Sequence, residues 1–190
     1  IGMVSVPELI DVIADRLARY NAENVVLDPV MVATSGAKLI SDDAVEVMTG
    51  KLFPLAKLIT PNIPETEALT GISVKSVADM ENAARCIYGK YGCAVLVKGG
   101  HSINDANDML FDGENITWFS GKRIDNPNTH GTGCTLSSAI ASNLAKEYDV
   151  SDSVRMAKQY ISGALAAMLD LGSGSGPLNH GFDIRSRYML

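Results

Sequence analysis

Apolar positions along the chain fall into two alternating rhythms. Leu9, Ile13, Leu17 and Tyr20 recur at helical spacing behind Ser5-Val6-Pro7-Glu8, which reads as a capping box with Ser5 as N-cap and Glu8 at the third helical position. Val25, Val26 and Leu27 then form a short apolar run that reads as a buried strand ending at Asp28. Ser41 can cap a second helix through about Phe53, and Leu58-Ile59-Thr60 is a further buried strand broken by Pro61. The stretch from Ser76 to Asp79 again has capping-box form, and its helix runs to about Tyr91. Ala94 to Val97 is a third apolar strand, closing at Lys98-Gly99-Gly100. Residues 108–111 and 116–119 flank the turn Asp112-Gly113-Glu114-Asn115 and read as an antiparallel edge hairpin. Two helices follow, at about Thr132 to Lys146 and Ser151 to Leu171, and then a Gly- and Ser-rich loop to Pro177.

Strands that are apolar throughout, alternating with amphipathic helices, predict an α/β fold. It has three layers: a mostly parallel sheet, helices on both faces, and an antiparallel edge hairpin. No internal repeat or linker divides residues 1–190, so one domain is expected. Ligands in such sheets bind beyond the carboxyl ends of the strands. Here those ends carry Asp28-Pro29-Val30, Pro61-Asn62-Ile63-Pro64-Glu65 and Lys98-Gly99-Gly100.

Composition narrows the function class. Apolar residues make up 46% and charged residues 20%, a balance suited to a packed core. The formal net charge of −6 argues against a general nucleic-acid binder. Cys86, Cys93 and Cys134 are odd in number and lack metal-like spacing, which argues for a reducing, cytoplasmic setting without a disulfide framework. No apolar run approaches the roughly 18 residues needed to span a membrane.

The candidate chemistry centres on Asn128-Thr129-His130-Gly131-Thr132-Gly133-Cys134-Thr135. Gly131 and Gly133 permit positive φ and close backbone approach, and an apolar helix follows at once. Its free N–H groups and dipole favour a phosphate or a developing anion. Helix starts also favour a thiolate, so Cys134 is a candidate base toward a substrate hydroxyl. The plainer reading is a Gly-rich turn with an inert buried Cys. Asn62 and Glu65, with Asp28, supply hard oxygens that suit a magnesium ion or its waters. Their plainer reading is a helix cap, with Asn62 capping and Glu65 at the third position. Lys98 can meet a nucleotide phosphate as a point charge, or be an ordinary exposed lysine. His101 and His180 have no partner at metal spacing. No Walker A string occurs.

Taken in order, these segments resemble the ribokinase superfamily, and within it the hydroxymethylpyrimidine/phosphomethylpyrimidine kinases of thiamine biosynthesis. The match lies in Gly2-Met3, in the run from Asp28 to Gly36, in Thr60 to Glu65, Leu96 to His101, Thr129 to Thr135 and Gly174 to His180. The resemblance implies a kinase that uses ATP and Mg2+ on a primary hydroxyl and then on the resulting phosphate. It implies Cys134 as base, Gly131 and Gly133 as anion hole, and Lys98, Asn62, Thr129 and Asp28 around the nucleotide. Glu65 and Asp28 then belong to the metal, and Met3, Val30 and Cys134 contact the pyrimidine. The partners implied are the pyrimidine and ATP, with homodimers common in the superfamily. Pyridoxal kinase of the same superfamily is the nearest rival reading, and a non-catalytic nucleotide-binding remnant is another. The family begins with further βα units, roughly 60 or more residues at about 30 each, which this sequence lacks. A ribokinase-like domain incomplete at its N-terminus is therefore expected.

Overall fold

The computed structural model describes residues 1–31, 39–99, 106–169, 171–172 and 174–184. The end of the motif that starts at Asp28, from Val32 to Gly36, and the pair Gly100-His101 lie outside the described residues.

The elements follow the hydrophobic rhythm. In chain order they are α1 (Pro7–Arg19), β1 (Val26–Leu27), α2 (Asp42–Val47), β2 (Leu58–Ile59), α3 (Ile63–Thr70) and α4 (Val77–Tyr91). Then come β3 (Ala94–Lys98), β4 (Asp108–Phe111), β5 (Ile116–Phe119), α5 (Thr132–Leu144) and α6 (Val150–Ala166). The strands form one five-stranded sheet in sequence order. The pairs β1–β2 and β2–β3 are parallel, with Val26 beside Leu58 and Leu58 beside Ala94. The pairs β3–β4 and β4–β5 are antiparallel, so the sheet is mixed and the hairpin closes one edge. At the other edge, Ile1 continues the sheet: its amino group donates to the Val26 carbonyl at 2.8 Å and its carbonyl accepts from Asp28 N–H at 2.9 Å.

Alternate strand residues feed two cores. Leu27, Ile59, Val95, Val97, Met109 and Phe111 face α1 to α4, where Ile10, Phe53, Ala83 and Ile87 are buried. Val26, Leu58, Ala94, Leu96, Leu110 and Phe119 face α5 and α6, against Leu136, Ile140, Val154 and Ile161. A strand covered on both faces must be apolar at successive positions, which is why β1 to β3 show no polar alternation. Each large side chain buried this way contributes about 1.5–3 kcal/mol.

Three helix boundaries differ from expectation for local reasons. Val6, not Ser5, is the N-cap of α1, with extended backbone and no side-chain cap bond. Pro7 takes the first helical position, where its missing N–H costs nothing. A residue before proline is biased away from the helical region, and Val6 is extended, with φ −108° and ψ 120°. Ser41 occupies its N-cap without a side-chain bond. The helix it starts passes into a π turn at Met48–Leu52 and a 3-10 turn at Phe53–Leu55, which contains Pro54. The last helix stops at Ala166 rather than near Leu171, and Met168 adopts a positive φ of 48°. Asn126 and Asn128 draw that end aside, since their amide groups donate to the carbonyls of Leu165 and Leu169. Among the described residues, no helix is long and apolar enough to cross a membrane.

Candidate active site

The carboxyl ends of β1, β2 and β3 bring together residues that lie up to 70 positions apart. Asp28 follows β1 and is buried at 2% exposure. Its Oδ1 accepts from the Lys98 ammonium at 2.6 Å and from the Thr60 hydroxyl at 3.0 Å. Lys98 ends β3, and its own N–H donates to the Pro61 carbonyl at 2.8 Å. That bond extends the parallel pairing, so Asn62 and Lys98 lie side by side. The Asp28–Lys98 pair is thus buried between strand ends and is no ordinary surface contact.

Asn62 and Glu65 realise the plainer reading in full. Asn62 Oδ1 accepts from Glu65 N–H at 2.9 Å, and Glu65 Oε2 accepts from Asn62 N–H at 2.7 Å. This reciprocal capping box starts α3. A cap and a site are compatible here, because Glu65 is also 2% exposed beside Asp28 and Lys98. Burial holds its carboxyl above the usual range. The nearby Lys98 charge and the hydrogen bond from Asn62 oppose that shift.

The glycine-rich turn closes on the same spot from the other side. Gly131 is the N-cap of α5 with φ 83°, a conformation that suits glycine. Gly133 has no room to spare: a Cβ there would lie 3.1 Å from Asp28 Oδ2 and 3.5 Å from Lys98 Nζ. The start of α5 therefore packs directly on the Asp28–Lys98 pair, a close approach that the missing side chain of Gly133 allows. Cys134 is the next residue, exposed, with its sulfur 3.9 Å from where a Gly2 Cβ would stand. Thr129 is exposed, and its carbonyl accepts from the Thr132 hydroxyl at 2.7 Å. Met3 is 58% exposed one residue beyond Gly2, and Val30 is half-buried two residues beyond Asp28.

Two features that prepare this site were not evident from the pattern of residues. Thr60 is wholly buried and supports Asp28; a polar residue ending an otherwise apolar strand was the available signal. Asn128 braces the approach to the turn, accepting from Gly176 N–H at 2.7 Å and donating to Leu169. Asn128 stands at the head of the motif from Asn128 to Thr135, but its bracing role was not evident there, since Leu169 and Gly176 are more than 40 residues away.

The three free cysteines differ sharply. Burial pushes the Cys93 thiol up to about 11, whereas Cys86 and Cys134 are exposed. Because the folded value is raised, any stability it adds is full below the ordinary thiol range and lost as pH rises through about 11. A thiol-reactive dye at neutral pH should therefore label Cys86 and Cys134 quickly and Cys93 only after denaturation. Three rapidly reacting thiols in the native protein would contradict this arrangement.

Among the described residues, no group of three or more His, Cys, Asp or Glu side chains converges to hold a metal ion. Asp28 and Glu65 are nevertheless hard-oxygen donors side by side. That suits magnesium, which commonly takes one or two carboxylates and completes its shell with water and phosphate oxygens.

Comparisons with known proteins point the same way. A family model described as phosphomethylpyrimidine kinase matches residues 1–179. The hydroxymethylpyrimidine/phosphomethylpyrimidine kinase of Haemophilus influenzae is 41% identical over 186 residues, 95% of this chain and 69% of that protein. The thiamine biosynthesis bifunctional protein ThiED of Geobacter sulfurreducens is 46% identical over 190 residues, 98% of this chain and 39% of that protein. Among solved structures, the phosphomethylpyrimidine kinase of Clostridium difficile 630 is 40% identical with a TM-score of 0.74, covering 85% of this chain and 65% of that one. The Staphylococcus aureus pyridoxal kinase in complex with AMP-PCP is 29% identical with a TM-score of 0.88, covering 97% of this chain and 67% of that one. The chain thus spans 69% of the Haemophilus kinase and 39% of the bifunctional protein.

Proposed function

Because the chain belongs to the phosphomethylpyrimidine kinase family, we propose that it transfers the γ-phosphoryl group of ATP to the hydroxyl of 4-amino-5-hydroxymethyl-2-methylpyrimidine, and then to the resulting monophosphate. One observation carries this reading. The backbone at Gly133 packs against the Asp28–Lys98 pair, and the exposed Cys134 thiol follows it directly. A cation, a helix start and a candidate base therefore meet at one point.

Phosphoryl transfer asks the protein chiefly for positioning and charge neutralisation. Lys98 meets the phosphate oxygens as a point charge, and Asp28, itself held by the Thr60 hydroxyl, keeps it in place until they arrive. The α5 start, with its Gly133 and Cys134 N–H groups, stabilises the charge on the transferred group. Cys134, reacting as its thiolate, accepts the hydroxyl proton and becomes the thiol as the new oxygen–phosphorus bond forms and the bond to ADP breaks. Asn62 and Thr129 line the nucleotide side. Met3 and Val30 offer apolar surface to the pyrimidine. Asp28 and Glu65 would hold magnesium together with the phosphates, and that ion supplies neutralisation of the phosphate charge.

The discriminating experiment is ADP release, coupled to a spectroscopic readout, with hydroxymethylpyrimidine and pyridoxal offered separately. Turnover with the pyrimidine is expected. Turnover with pyridoxal alone would replace this reading with the one that the Staphylococcus pyridoxal kinase suggests. ATP binding without turnover of either acceptor would make the chain a nucleotide-binding remnant.

A further inference from the structure

We propose that Lys158 keeps Lys98 on the phosphoryl-transfer site by neutralising Asp108, the carboxylate directly across the sheet from it. The proposal rests on the reading that Lys98 meets nucleotide phosphate.

The sheet register poses the problem. Lys98 is the last residue of β3, and Asp108, the first of β4, is its direct antiparallel partner. Opposite residues in such a pair project from the same face, with Cβ atoms about 4.5–5.5 Å apart, and opposite charges there attract. Asp28 stands at the end of β1, two strands away. By register alone, the Lys98 ammonium should turn to Asp108. Instead it reaches past Thr60 to Asp28 at 2.6 Å.

The reason is that Asp108 is already satisfied. Its Oδ1 accepts from Gly99 N–H at 3.0 Å, and its Oδ2 is paired with the Lys158 ammonium. Lys158 arrives from α6, 50 residues later, and donates also to the Ala106 carbonyl. Both members of the pair are largely buried, at 13% and 12% side-chain exposure. Little space surrounds them: a Cβ at Gly121 would lie 2.9 Å from Lys158 Cε, and one at Gly99 would lie 1.9 Å from the Asn107 carbonyl oxygen. A buried ion pair is weak as a source of net stability. Its consequence here is specificity of partner. With Lys158 in place, two parallel Lys–Asp pairs form on one face of the sheet, and Lys98 is left to Asp28 and the α5 start. Without Lys158, Asp108 is an unpaired buried carboxylate, and the nearest cation by register is Lys98. Lys158 is therefore a positioning residue, acting through Asp108 on Lys98.

This predicts an asymmetry that a merely structural ion pair would not show. Lys158→Met exposes the competing carboxylate, so it should weaken ATP binding, measured by calorimetry, by about tenfold, within the range of coupling between neighbouring charges. Asp108→Asn removes the competitor while its amide oxygen still accepts from Gly99, so it should lower Tm yet keep ATP affinity near that of the wild type. The double variant Asp108→Asn/Lys158→Met should recover the affinity lost in Lys158→Met. If Lys158→Met does not fold, the other two variants carry the test, and both must bind ATP as the wild type does. Equal losses of affinity in the two single variants, or unchanged affinity in Lys158→Met, would overturn the proposal. A wild-type chain that binds no ATP would instead overturn the assignment of Lys98 itself.

Discussion

Replacing Cys134 by alanine is expected to abolish phosphorylation of the hydroxymethyl acceptor while leaving ATP binding intact. A positioned general base contributes typically about 10²–10⁴-fold in rate, and alanine has no group to take the proton. The nucleotide side should be undisturbed, since Asp28, Lys98, Asn62 and Glu65 hold one another through bonds in which Cys134 takes no part. The two acceptors should also respond differently. The monophosphate is already an anion and hardly needs a base, so the second phosphorylation should fall less than the first. Single-turnover rates for both acceptors, beside ATP affinity by calorimetry, would check this. Equal losses on both would make Cys134 a binding group, and normal turnover would remove it from the chemistry.

The second large effect is expected at Lys98. Lys98→Ala strips the partner from Asp28, which is 2% exposed. Breaking a buried pair by removing one member costs about 3–5 kcal/mol, because the remaining charge is left uncompensated. The same variant should bind ATP poorly for want of a cation at the phosphates. Lys98→Ala/Asp28→Asn separates these two losses. Neutralising Asp28 should restore most of the stability, read by denaturant unfolding, while ATP affinity stays low. A double variant that regains ATP binding would mean that Lys98 serves only to balance Asp28.

Both results turn on how side chains remote in sequence are brought together, and here the two levels of information part. The order of elements was legible because its causes are local. Leu9, Ile13 and Leu17 mark one helix face, and Val95 to Val97 are apolar because both faces of β3 are covered. Even the misread start of α1 has a local contributor, for Pro7 biases Val6 towards the extended conformation it adopts. Ser41, by contrast, has a capping identity that the backbone there does not use. The parallel strands β1 to β3 and the antiparallel hairpin pair as their order suggests, whereas the antiparallel join of β4 to β3 depended on which strands meet.

Candidate residues for the site could be named from the sequence because their types are unusual where they stand. Asp28 and Lys98 end apolar strands, and two glycines precede Cys134 at a helix start. Asn62 and Glu65 carry their cap in their spacing alone, and the reciprocal bonds of that cap follow from three residues of helix. What the sequence could not contain was choice of partner. That Lys98 takes Asp28 and not the opposing Asp108, that Thr60 and not a neighbour supports the carboxylate, and that Asn128 braces the turn through Leu169 and Gly176 are decided by burial. A charge or amide removed from water must find a partner within hydrogen-bond reach. Only the folded chain determines which groups are within that reach.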